Sequence, residues 1–171
     1  MRMIILFSVL TIVGLAAVAV IFIRFASHPV EVYHVDPLTA PTPETPNSFR
    51  VAPVLEGFDP VTEERVDLPA PVYEANPAII AKALDEFALR QPRTIRIAGT
   101  PEQGWMTYVQ TSDRMRYPDY VSVLIMDIAN EGLTTIAIFS RSRFGYGDLG
   151  VNEARVRRWL QPLESFETTF P

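Results

Sequence analysis

Tyr120-Val121-Ser122-Val123-Leu124-Ile125-Met126-Asp127-Ile128, then Asn130-Glu131-Gly132, then Leu133 to Arg143, is the stretch that sets the fold class. The two outer runs read as strands, and the triplet between them reads as a tight hairpin turn. Upstream, Gly104 to Ser112 alternates, with Trp105, Thr107 and Val109 opposite Met106 and Tyr108, and Thr94 to Ala98 alternates as well. Four strands in succession predict an antiparallel meander. Helices flank it. Asn76 is a candidate N-cap and Pro77 suits the first helical position. Ile79, Ile80, Ala83, Leu84, Phe87 and Ala88 follow at helical spacing, and Pro92 ends the run. After the meander, a glycine-rich loop from Gly145 to Gly150 leads to a last helix from about Asn152. Its apolar positions are Val156, Trp159, Leu160 and Leu163, and Pro162 limits its length. The expected fold is α+β: an N-terminal transmembrane helix, then a mostly antiparallel four-stranded sheet covered on one face by two helices, the folded part occupying 72–171.

Met3 to Ile23 carries no charge and lies between Arg2 and Arg24. As a helix it is roughly 31 Å long, which matches the hydrocarbon thickness of a bilayer. Fourteen of its residues are Ile, Leu, Val or Phe, which favours insertion by roughly 4 to 8 kcal/mol. A secretory signal would have a shorter apolar run and a small-x-small cleavage site. Cutting after Ala26 places Arg24 three residues before the cut, and cutting after Ser27 places Phe25 there. Residues 1–24 are therefore expected to be an uncleaved, single-pass anchor whose lipid partner meets 3–23. Arg2 and the terminal amine lean the N-terminus towards the cytoplasm. Replacement of nearly all lysine by arginine suits a bacterial source, with the domain in the periplasm. Residues 25–71 hold nine of the fifteen prolines. They are expected to form an extended stalk, with Phe49 to Val54 alternatively docking on the domain as an arm.

Beyond Arg24 the chain has 20 acidic residues against 13 basic ones, a net charge of −7. With no polybasic segment after the apolar run, that disfavours binding to anionic lipid or nucleic acid by bulk charge. There is no cysteine, and His28 and His34 both lie in the proline-rich segment. Thiolate or histidine metal sites and Ser-His-Asp catalysis thus lack raw material, and no cofactor is expected. Lys82, the single lysine, is expected to face solvent.

The run Ser140-Arg141-Ser142-Arg143-Phe144-Gly145-Tyr146-Gly147-Asp148-Leu149-Gly150-Val151-Asn152, followed by Arg155, resembles the signature of the domain-of-unknown-function 1499 (DUF1499) family. Members carry Ser-x-Ser-Arg-x-Gly-aromatic-Ser-Asp-x-Gly-x-Asn-x-x-Arg near the C-terminus. Tyr117-Pro118-Asp119-Tyr120-Val121-Ser122-Val123 is similar to the preceding strands of that family. The resemblance covers roughly 72–163. Gly147 stands where the family has Ser, and no counterpart of the cysteine-containing segment of many members is present. The resemblance implies a fold and a family, and no mechanism.

The same motif supplies the candidate site. Arg141 and Arg143 are two apart on an expected strand and so share a face. Gly145, Gly147 and Gly150 relax the following loop, and a helix N-terminus follows at Asn152. Five arginines from Arg141 to Arg158 face only Asp148 and Glu153. Arg141, Ser142, Arg143, Gly145, Asp148, Asn152 and Arg155 are therefore candidates for a small anionic ligand. The competing and better-weighted reading is a structural corner, with Asp148 pairing Arg143 or Arg155 and Asn152 as an ordinary cap. Ser140 and Ser142 have no base beside them to make a nucleophile. Asp113, Asp119 and Asp127 suit turn capping better than a calcium site. Trp105, Tyr108, Tyr117 and Tyr120 suit a core better than a pocket. The expected function is a non-catalytic, envelope-facing domain that binds a ligand or an envelope protein. The alternatives are a hydrolase or transferase using Asp148 with the arginines, and a purely structural envelope protein.

Overall fold

The computed structural model describes residues 2–24, 27–54, 65–128 and 132–169. Helix α1 spans Arg2–Arg24, and its apolar side chains from Met3 to Phe22 are exposed along its length. It is long and apolar enough to cross a membrane, with a mean hydropathy of 2.9 over Arg2–Phe22. A one-turn helix α2, Val30–Tyr33, follows Pro29.

The four strands anticipated from the sequence are Thr94–Thr100 (β4), Trp105–Thr111 (β5), Pro118–Ile128 (β6) and Leu133–Ser142 (β7). Each pairs antiparallel with the next. The hairpin triplet lies partly outside the described residues. Gly132 is described, and its φ of 71° is the left-handed geometry that favours glycine.

The sheet is larger than expected and mixed: eight strands among the described residues in place of four. Ser48–Ala52 (β1) pairs antiparallel with β7, in register from Ser48 opposite Arg141 to Val51 opposite Ile138. Leu68–Pro69 (β2) joins β1 in parallel. Val72–Tyr73 (β3) continues along the same edge of β7 at Thr134 and Thr135, and Glu167–Thr168 (β8) pairs with β3. Among the described residues, the segment 25–71 thus contributes two strands. All five residues of β1 are buried, because β7 would otherwise leave its backbone donors and acceptors unpaired at an open edge. The docked-arm alternative describes this part of the segment.

Strand alternation divides the side chains between two faces. On one face lie Phe49, Val51, Met106, Tyr108, Val121, Val123, Ile125, Ile136 and Ile138, packed with the helices. Helix α3, Pro77–Arg90, begins as expected: the Asn76 side chain accepts from the Ala78 N–H at 2.8 Å. It buries Ile80, Ala81, Leu84 and Ala88, while Ile79 turns outward and Lys82 is exposed. Helix α4, Val151–Leu160, buries Val156, Trp159 and Leu160, and a 3-10 turn Gln161–Phe166 carries Leu163 into the same core. The Trp159 ring meets Tyr108 edge-on, centroids 5.2 Å apart.

The second face is covered too. Tyr120, Thr107, Ser122 and Phe139 point away from the helices yet are buried, because residues 27–42 lie across them as a strap. The Tyr33 ring stacks on Tyr120 at 3.6 Å with planes 3° apart, and His34 stacks on Trp105 at 4.1 Å. The Tyr33 carbonyl accepts from Arg141 at 2.8 Å. The Arg50 guanidinium donates to the Ala40 carbonyl and lies over Phe139. The segment after α1, expected to be an extended stalk, is over these residues the second cover of the sheet.

Candidate functional site

The sequence groups the arginines of the motif around one concavity, but the structure distributes them. Arg141 is still within β7 and points to the strap face. There it donates to the Tyr33 carbonyl and, at 3.3 Å, to the Ser122 hydroxyl. Burial lowers its pKa to about 10. Arg143 lies one residue beyond β7. Its guanidinium donates to the Ser27 carbonyl at 2.8 Å and lies 5.4 Å from the centre of the Tyr33 ring and 5.1 Å from that of Phe144. Both arginines therefore hold the strap.

Arg155 is on the opposite side, beneath α4. Its Nη2 meets Asp119 Oδ2 at 2.5 Å, Nε donates to Gln110 Oε1 at 2.7 Å, and Nη1 reaches Ser140 Oγ at 3.0 Å and Asn152 Oδ1. Asn152 extends the network by donating to the Asn47 carbonyl at 2.8 Å and to Ser142 Oγ at 3.1 Å. Asn47 in turn donates to the Gly145 carbonyl at 2.9 Å. Ser140, Asn152, Asp119 and Arg155 are all buried. This buried charge has its carboxylate and three further hydrogen bonds, the pairing that burial requires.

Two expectations are corrected here. Asn152 is not the cap of α4 but its second residue, fully buried and turned into the network. Asp148 does the capping instead: its carboxylate accepts from the Gly150 N–H at 3.0 Å and the Asn152 N–H at 2.8 Å. The expected Asp148 pairing with Arg143 or Arg155 gives way to Asp119 with Arg155. A carboxylate at a helix start gains more from unpaired N–H groups and the helix dipole than from a distant guanidinium. Parity points to Asp119, which shares a strand face with Val121, Val123 and Ile125 and so points inward. Gln110 and Asn47 carry no comparable signal.

Of the other candidates, Asp113 pairs with Arg93 at 3.0 Å and Asp127 is exposed. Tyr108 faces the helices and donates to Asp85 at 2.8 Å, and Tyr117 meets Phe144 at the loop end. No group of acidic or histidine side chains suited to a metal occurs among the described residues.

A cleft lies elsewhere, of about 450 Å³, where α3 faces β4 and the 3-10 turn Pro101–Gln103. Lys82, Arg96, Asp85, Glu86 and Glu102 line it. At its floor Asp85 meets Arg96 at 2.7 Å and accepts from Tyr108, whose pKa is raised well beyond its ordinary value by burial and by that carboxylate.

No curated protein matches the chain. The model of the family described as "Protein of unknown function (DUF1499)" matches residues 39–163 of the 171. The match begins within the strap, takes in β1 and the whole meander, and ends on Leu163 below α4. The matched unit therefore joins the sheet to part of both covers and to the Arg155 network, and with it the chain belongs to the DUF1499 family.

Proposed function

We propose that this protein is a single-pass, membrane-anchored domain of the bacterial envelope, facing the periplasm and acting by binding rather than catalysis. The observation that carries the anchored reading is an exposed apolar helix of 23 residues, followed after two residues by a segment packed on the domain. A helix that exposes apolar side chains all round is suited to lipid. The binding reading is supported by the use already made of the reactive-looking groups. Asp148 caps a helix, Ser140 is hydrogen-bonded to Asn152 and Arg155, and Arg141 and Arg155 hold buried contacts. None of these has a base or nucleophile beside it of the kind acyl or phosphoryl transfer needs. The test is fractionation with a topology reporter. The protein stays in membranes through alkaline washing and keeps residues 3–23 in its mature form, and a phosphatase fused after Pro171 is active. Release by the wash, or a mature N-terminus near His28, overturns the anchor. A silent phosphatase overturns the orientation.

Small-ligand binding is best supported at the cleft beside Asp85, because its charges of both signs converge on a concavity. A screen of anionic and zwitterionic metabolites tests it. Ligand at a hundredfold its Kd adds about 2.7 kcal/mol of stability, and Lys82→Ala abolishes that gain.

A further inference from the structure

The strands end together at one pole of the domain. Thr111 pairs with Pro118, Asp119 with Ser142, and Thr94 with Gln110. The loops 112–117 and 143–150 and the residues just before β4 therefore lie at the same end. Tyr117 and Phe144 join the two loops through their rings. This is also the end where the strap enters, because Arg143 holds the Ser27 carbonyl and His28 meets Tyr120. Ser27 is three peptide steps from Arg24, the last residue of α1. At most about 3.6 Å each, those steps allow about 11 Å. The headgroup layer of one leaflet is itself about 5 to 8 Å thick. A helix that fills the hydrocarbon core thus leaves this pole at the headgroups.

The chemistry of the pole fits that position. Leu149 is fully exposed, Tyr146 is 78% exposed, and Met115 and Val151 are exposed beside them. The two loops and the residue before β4 carry Arg93, Arg114, Arg116 and Arg143 against Asp113 and Asp148, with Arg93 paired to Asp113 at 3.0 Å, in a part of the chain whose overall balance is strongly acidic. The non-glycine residues with positive φ among the described residues are Arg93, Arg116 and Leu149, at 56°, 58° and 55°. All three lie at this pole. A leucine held in the left-handed region and turned wholly to water is disfavoured twice, by its backbone and by its side chain. Tyrosine, leucine and arginine together are the composition of a surface that rests in the interfacial layer.

We infer that this pole docks on the lipid headgroups of the membrane that holds α1, with Tyr146 and Leu149 reaching the acyl boundary and the arginines meeting phosphate. The inference rests on the anchored reading. It fixes the domain against the bilayer and turns the Asp127 end, nine residues along β6 and about 30 Å away, towards the aqueous compartment.

The absence of cysteine makes the test direct. Tyr146→Cys, Leu149→Cys and Asp127→Cys are each labelled with an environment-sensitive fluorophore. The full-length protein is reconstituted in phosphatidylcholine vesicles with and without phosphatidylglycerol. The expected result is blue-shifted emission at 146 and 149, quenched by lipids bearing a nitroxide near the headgroup, and no quenching at 127. Quenching at 146 and 149 that needs phosphatidylglycerol supports docking led by the arginines, and quenching in both vesicles supports docking led by the apolar side chains. Protein that floats with the vesicles after alkaline washing but shows no quenching at either loop position overturns the inference and leaves the anchor standing. Protein that washes off overturns the anchored reading and the inference with it.

Discussion

The guanidinium of Arg155 meets the carboxylate of Asp119 at 2.5 Å beneath α4, joining the last helix to the start of β6 across 36 residues of chain. Both side chains are largely buried. Removing either one strands the other without its partner, so Arg155→Ala and Asp119→Ala are each expected to cost about 3 to 5 kcal/mol. The double variant loses less than the sum. Denaturant titration of the full-length protein in detergent measures all three. Arg143→Ala, at a half-buried position that holds the Ser27 carbonyl and two rings but has no carboxylate partner to strand, loses less.

His28 and His34 hold the strap in the neutral form. His28 Nδ1 lies 2.7 Å from the Tyr120 hydroxyl with Arg143 nearby, and His34 Nδ1 lies 2.9 Å from the Thr107 hydroxyl with its ring on Trp105. Burial lowers both pKa values below 6.5, and Arg143 adds to the effect at His28. The folded state therefore binds fewer protons than the unfolded chain. Stability is fully present above the unfolded pKa of about 6.5 and is lost as pH falls through the lower folded values. A melting-temperature scan from neutral to about pH 5 shows the decline, ahead of carboxylate titration. His28→Gln with His34→Gln flattens the scan in that window.

Gly99 and Gly147 make opposite predictions. Gly99 has φ of 71°, and a Cβ there would lie 1.8 Å from the Trp105 carbonyl oxygen, just past the bulge between Arg96 and Ala98 of β4. Gly99→Ala is expected to cost about 2 to 5 kcal/mol, from the left-handed backbone and the clash with main chain. A Cβ on Gly147 meets only the Pro46 carbonyl oxygen, at 3.8 Å. Gly147→Ser therefore fits, and restricting the unfolded chain is expected to add about 0.4 to 1 kcal/mol. Thermal melts of the two variants beside the parent decide both.

Trp159 is 1% exposed and packs its ring edge-on to Tyr108. Trp159→Ala opens a cavity between α4 and the sheet and is expected to cost about 3 to 5 kcal/mol. Trp159→Phe keeps most of the volume and costs less. The order of the two denaturation midpoints checks the helix-on-sheet packing.

Local chemistry determined what the sequence could announce by itself. Alternation placed β4 and β5, because a pleated strand must sort its side chains between two faces, and strand runs on either side of the Asn130-Glu131-Gly132 turn signal placed β6 and β7. Asn76-Pro77 marked the start of α3, and apolar spacing put Trp159 and Leu160 in the core. An uncharged run from Met3 to Ile23 specified a long apolar helix. Only the tertiary structure decided what covers the second face of the sheet. Residues 27–42 have no apolar period, and they hold the domain through carbonyls and rings that are complementary only once β5, β6 and β7 are side by side. The same holds for the arginine-rich motif. Its spacing showed that charges gather, but which carboxylate Arg155 meets depends on bringing Asp119 beneath α4, a contact that no local pattern encodes.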